Sequence, residues 1–248
     1  MASAERGGGA DTIVIAGFPV TRTDAPALAA RLRACVQAGA KVALFFANTN
    51  FIVQCRALLP QMRDEAVIIV NDGVGLDIAA RLQGACFAHN LNGTDFTPFL
   101  LREGGRPLRV FLVGGAWPVL ARAAEYCRHT LGQQVVGACD GYAGLRTRHA
   151  LVDEINRSGA DVVLVALGNP IQEQWILAHR AALDAGIVMG VGALFDFWAG
   201  AKARAPAWMQ ALRLEWLYRL WLEPRRLARR YTVDIVRFLA LCHRHRPR

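Results

Sequence analysis

Four short segments of this 248-residue chain carry side chains whose types and spacing suit chemistry. The first is Val67-Ile-Ile-Val-Asn-Asp-Gly-Val-Gly75. A carboxylate directly after a buried strand sits at the mouth of a sheet, and burial there raises its pKa, which makes Asp72 a usable general base. The competing reading is a cap, with Asp72 closing a helix over 76–82. The second segment, Asn90-Leu-Asn-Gly-Thr-Asp95, is dense in donors and acceptors and suits sugar hydroxyls or a phosphate. It also reads as an ordinary turn and cap before a helix over 96–101. The third, Ala166-Leu-Gly-Asn-Pro-Ile-Gln-Glu-Gln-Trp175, opens a helix at Pro170, where backbone N–H groups can hold a diphosphate. Gln172 and Glu173 fall in its first turn, either facing that cleft or merely capping. The fourth, Gly190-Val-Gly-Ala-Leu-Phe-Asp196, ends on a carboxylate that serves a ligand or pairs with a nearby Arg.

Some chemistries are poorly supported. Gly73-Val-Gly75 and Gly190-Val-Gly192 are halves of a dinucleotide fingerprint, but Ile78 and Phe195 stand where a third Gly belongs, so no nicotinamide or flavin cofactor is expected. No two Asp stand two apart, so the Asp-x-Asp pattern that holds a divalent ion on a nucleotide diphosphate is missing, and no metal is expected. Cationic side chains must then stabilise a leaving phosphate, a task that suits the planar fork of Arg. The six cysteines (35, 55, 86, 127, 139 and 242) form no CxxC pair, and they read as small buried hydrophobes in a reducing compartment.

These loops need a scaffold that brings them to one edge. Apolar runs at 12–15, 41–46, 67–70, 110–113, 135–138, 162–166 and 187–191 predict strands. Helical patterns at 26–38, 117–131, 147–158 and 172–185 lie between them. The alternation predicts an α/β fold, a Rossmann-like parallel sheet with helices on both faces, and ligands gather at the carboxyl ends of such strands.

Composition shifts near residue 196. The chain carries a formal net charge of +9, and eight of those charges fall in 196–248, where 12 Lys and Arg face 4 Asp and Glu. Four of the six Trp and two of the four Tyr lie there too, interleaved with Arg. We therefore expect a nearly neutral core over 1–195 and a basic helical appendage over 196–248, facing nucleic acid, an anionic membrane or a phosphorylated substrate. Leu214, Leu217 and Trp221 could form one apolar stripe of that appendage. The 54% hydrophobic composition excludes a disordered chain, and no run is long and apolar enough to cross a membrane. The polar N-terminus lacks the apolar stretch of a signal peptide, so a cytoplasmic location is expected.

In this order, Asn71-Asp-Gly-Val-Gly75, Asn92-Gly-Thr-Asp95, Gly168-Asn-Pro-Ile-Gln-Glu173, the 190–196 segment, Arg204-Ala-Pro-Ala-Trp208, Leu214-Glu-Trp-Leu-Tyr-Arg-Leu220, Glu223-Pro-Arg-Arg226 and Arg229-Arg-Tyr231 resemble the WecG/TagA/CpsF glycosyltransferases. The resemblance implies an inverting, metal-independent transferase on a Rossmann-like core. Its donor would be a UDP-sugar and its acceptor a polyprenyl-diphosphate-linked saccharide. The appendage would close the site at an anionic membrane surface on the inner leaflet, with no nucleic-acid partner and a homo-oligomer left open. Asp72 matches the family's general base. Gln172 matches a Gln near the substrate, with Gly168, Asn169 and Glu173 beside it. Arg219, Arg226 and Arg229 match arginines that approach the diphosphates. Asn48, Thr49, Asn50, Asn90, Gly93, Thr94, Asp95 and Asp196 complete the expected substrate-binding set. Two positions depart from the family pattern: Asn48 stands for a Thr and Asn90 for an Arg. The lost charge at 90 points to a neutral sugar, and the wording of both segments resembles the branch that makes exopolysaccharide repeats.

Overall fold

The computed structural model describes residues 11–104, 106–142, 144, 150–212 and 214–245, without the side chains of 211 and 226. Eight strands form one sheet: β1 (Thr12–Ile15), β2 (Phe18–Thr21), β3 (Val42–Ala47), β4 (Val67–Asn71), β5 (Arg109–Gly114), β6 (Gln134–Cys139), β7 (Val162–Ala166) and β8 (Ile187–Gly190). Their order is β1-β2-β4-β3-β8-β7-β5-β6. Only β1 runs antiparallel, to β2, and the other pairings are parallel. The fold is thus α/β and Rossmann-like.

The side-chain period of two divides each strand between two cores. Ala43, Phe45, Val163 and Val165 face one core, packed by Phe51, Ile52, Ile155 and Ile176. Val42, Leu44, Val162 and Leu164 face the other, packed by Leu28, Leu32, Leu100 and Leu120. Burial on both faces explains why β3 and β7 read as unbroken apolar runs. The helices that cover the faces are α1 (Ala25–Ala38), α2 (Thr49–Gln54), α3 (Val74–Arg81), α4 (Gly93–Arg102), α5 (Trp117–His129), α6 (Leu151–Ser158), α7 (Ile171–His179) and α8 (Leu194–Trp198). Beyond these the chain adds α9 (Ala207–Ala211), α10 (Glu215–Leu222), α11 (Pro224–Tyr231) and α12 (Val233–Arg244). Among the described residues no helix is long and apolar enough to cross a membrane.

The structure corrects several sequence expectations. Strand β2 was not expected, because Pro19 interrupts it. It forms because Ala16 and Gly17 both take positive φ, the two-residue turn that matches hairpin twist, and because it lies near the sheet edge, where Pro is tolerated. Helix α2 was also unexpected, and it is short and capped by the Asn48 side chain. Helix α7 ends at His179, not 185. The Asn156 side chain accepts from Asp184 N and donates to Ala182 O, so it captures backbone groups that a longer helix would use. The expected start of α6 at Thr147 lies outside the described residues. All six cysteines are free, but only Cys55, Cys127 and Cys139 are buried, and Cys86 is exposed. The stripe expected on α10 is not core: that helix buries no residue, and Trp221 is 76% exposed.

Candidate active site

The carboxyl ends of β3, β4, β7 and β8 lie side by side, since these strands are parallel and three of their pairings are adjacent. Asn48 follows β3 and Asp72 follows β4. Asp72 N donates to Ala47 O at 2.7 Å, which ties the two loops together. Gly73 takes φ +91°, a left-handed conformation that disfavours other residues. Gly75 approaches so close to Thr49 that a Cβ there would lie 2.3 Å from its methyl carbon. The Asn-Asp-Gly-Val-Gly spacing therefore seats the Asp72 loop directly on the start of α2.

Asp72 does not cap α3. That helix begins after Gly73 with no side-chain cap, while Asn90 Oδ1 accepts from Gly73 N at 2.6 Å. Asp72 Oδ2 instead accepts from Asn48 Nδ2 at 3.3 Å. Burial pushes its carboxyl above the ordinary carboxylate range, against the opposing pull of Arg219, Asn48 and Arg230 and with a small push from Glu215. Behind it, the buried Asn71 amide donates to Asp77 Oδ1 and to His89 O, fixing the strand end to α3 and the following loop.

The C-terminal helices reach this edge. Phe238 of α12 is buried in the core that also holds Phe51 and Ile52 of α2. Arg56 anchors its far end, donating to Ala16 O at 2.9 Å and meeting His245 Nε2 at 2.9 Å. With α12 docked, Arg230 of α11 donates to Asn48 Oδ1 at 3.2 Å. Arg204 holds the other side, paired with Asp95 at 2.5 Å and with Glu215 at 3.7 Å. Glu215 in turn pairs with Arg219 at 2.8 Å, and the Arg219 guanidinium lies 5.2 Å from the Phe197 ring centre. Arg204 and Asn92 overcome burial and hold the Asp95 carboxyl below its usual range. Beside this network a groove of about 470 Å³ opens among Thr94, Phe99, Tyr126, Trp198 and Arg204.

At β7 and β8, Gln172 is 3% exposed and its amide is held on three sides. Its Nε2 donates to Asn169 Oδ1 at 3.3 Å and Glu173 Oε1 at 2.7 Å, and its Oε1 accepts from Gly192 N at 3.0 Å. It fastens the Gly168-Asn169 loop to the Gly190-Val-Gly192 loop. Glu173 is 1% exposed, and burial pushes its carboxyl up, against hydrogen bonds that include those from Gln172 and Cys55. Its position supports Gln172 from behind.

The model of the Glycosyl transferase WecG/TagA/CpsF family matches residues 13–248. The chain belongs to this family. It is therefore a glycosyltransferase, and membership implies a nucleotide-sugar donor and a polyprenyl-linked acceptor.

For this glycosyltransferase, the structure brings Asp72, Asn48 and Arg219 to one place, with Thr49 packed against Gly75 of the Asp72 loop. Asn50 lies in the first turn of α2 and makes no side-chain hydrogen bond among the described residues. Gly93 is buried, and Asn92 caps α4, so part of the second segment does serve as a turn and cap. Asp196 lies within α8 and pairs with Lys202 at 3.4 Å and, among the described residues, with no Arg. Arg229 is exposed and forms no ion pair among the described residues, and the Arg226 side chain lies outside them. Arg230, Glu215 and Asn71 stand in the motifs quoted from the sequence, yet sequence reasoning gave them no role. Arg230 adjoins a named Arg in a basic run, where charge alone cannot say which side chain turns inward.

Proposed function

We propose that this glycosyltransferase moves a sugar from UDP to the hydroxyl of a polyprenyl-diphosphate-linked saccharide, with inversion and without a metal. The observation that carries this reading is Asp72 at a strand mouth, hydrogen-bonded to Asn48, with its carboxyl raised by desolvation and Arg219 and Arg230 acting on it. Asp72 takes the proton as the acceptor oxygen forms its bond to the anomeric carbon. The bond from that carbon to the β-phosphate oxygen breaks, and UDP leaves with the electron pair. Arg219, Arg226 and Arg229 supply positive charge to the diphosphates, which suits a sequence without an Asp-x-Asp pair. Gly168, Asn169 and Gln172 line the edge beside the base.

Residues 196–248 act as the appendage on the 1–195 core and meet the inner leaflet. Trp208 is 61% exposed, and Trp221, Leu212 and Leu222 are exposed with it, an apolar set beside many arginines. Trp suits the interface and Arg suits anionic head groups. The donor sugar we favour is neutral glucose, added β-1,4 to lipid-linked glucose in exopolysaccharide assembly, as in the xanthan glucosyltransferase GumM. Asn90 supports this reading, because it places an amide, not a cation, in its loop.

The test is a screen of the purified protein with UDP-glucose, UDP-N-acetylmannosamine and UDP-glucuronic acid against polyprenyl-diphosphate-linked monosaccharides. We expect transfer from UDP-glucose and a β-1,4 product by linkage analysis. Transfer only from UDP-N-acetylmannosamine would overturn the donor assignment, and no transfer or UDP binding would favour a membrane-surface module without catalysis.

A further inference from the structure

Asn48 occupies a position from which one side chain touches the base, its own helix and the appendage. Its Oδ1 accepts from Phe51 N at 3.1 Å, which caps α2, and from Arg230 Nη2 at 3.2 Å. Two donors converging on one atom fix which end of the amide is oxygen. The NH₂ end must then face Asp72, and it donates to Oδ2 at 3.3 Å. Among the described residues Asp72 Oδ1 makes no hydrogen bond, so that oxygen is the one placed to take a proton. A Thr here has one oxygen for all three tasks, whereas Asn divides them between two atoms.

We propose that Arg230 is a positioning residue that acts through Asn48: docking of the appendage locks the Asn48 amide, and the locked amide aims one carboxylate oxygen of Asp72 at the acceptor hydroxyl. The inference rests on Asp72 as the base and names what aligns it. An appendage that is undocked leaves Asn48 without its second donor, so alignment of the base follows closure. The charged groups acting on Asp72 are Arg219 and Glu215 on α10 and Arg230 on α11, so a relay through Asn48 must be separated from simple charge.

The separating experiment is a carbon-13 carboxyl NMR titration of Asp72 in the full-length protein, alongside kcat and KM from the transfer assay. The variants are Arg230→Met, Arg230→Lys, Asn48→Ser and Asn48→Ser with Arg230→Met. Ser retains a helix cap, and Arg230 is half-exposed, so each should fold. Removing either partner is expected to raise the Asp72 midpoint and lower kcat by roughly ten- to a hundredfold with KM for the donor little changed. The double variant should lose little beyond the worse single one, and Arg230→Lys should recover part of the loss. Full additivity of the two changes, or a rise in acceptor KM with an unmoved midpoint, would overturn the relay. If Asp72→Asn keeps activity, the base assignment fails instead, and the titration still reports whether Arg230 and Asn48 are coupled.

Discussion

At the residue scale, the part-buried Asp72 and the buried Glu173 answer to pH in different ways. Asp72 must be ionised to take a proton, and burial raises its pKa. The rate constant kcat/KM should therefore fall as pH drops, beginning above the usual carboxylate range, and a pH–rate profile checks this. Glu173 is also raised by burial, so folding binds its proton more tightly than the unfolded chain does. Its contribution to stability is fully present below the unfolded pKa and is lost as pH rises through the folded one. Urea denaturation of Glu173→Gln should show this variant gaining on the wild type as pH rises. Equal pH dependence in both proteins would contradict a Glu173 carboxyl raised by folding. Asp72 was legible as a chemical residue, but its choice between base and cap was not. That Asp72 leaves α3 uncapped depends on Asn90, distant in sequence, satisfying the Gly73 N–H.

At the scale of elements, the parallel strands were readable because burial on both faces leaves unbroken apolar runs between turn residues. Helix α2 and strand β2 were not, because each is held by one side chain or one turn more than by its own pattern. The docking of α12 was also hidden, since Phe238 looks like any apolar residue on an amphipathic helix until α2 is placed beneath it. Truncating it tests what the contact does. Phe238→Ala should cost about 3 kcal/mol of stability by denaturant unfolding. It should also reduce transfer at temperatures where the protein stays folded, because α11 is positioned through α12. At the opposite edge, buried Asp161 accepts from Arg109 N and pairs with Arg106 and Arg109. Asp161→Ala should cost about 2 kcal/mol in the same assay and leave kcat unchanged, since the strand amino ends lie away from Asp72.

For the whole molecule, the uneven charge was the most informative global feature of the sequence, yet it could not tell helix core from exposed surface. The structure divides the C-terminal helices: Leu227 and Phe238 are buried, while Trp208, Trp221 and Leu212 are exposed. On our reading the exposed set meets the membrane. Sedimentation with vesicles of anionic and neutral lipid should show binding that needs the anionic lipid and weakens with salt. Trp208→Ser with Trp221→Ser should weaken that binding without altering UDP binding. The central claim remains that Asp72 is the base of a sugar transfer. The most direct test is transfer from UDP-sugar to a polyprenyl-diphosphate-linked acceptor by Asp72→Asn, with UDP binding measured alongside. We predict that transfer is abolished while UDP binding and thermal stability are retained. Transfer at the wild-type rate by this variant would contradict the account.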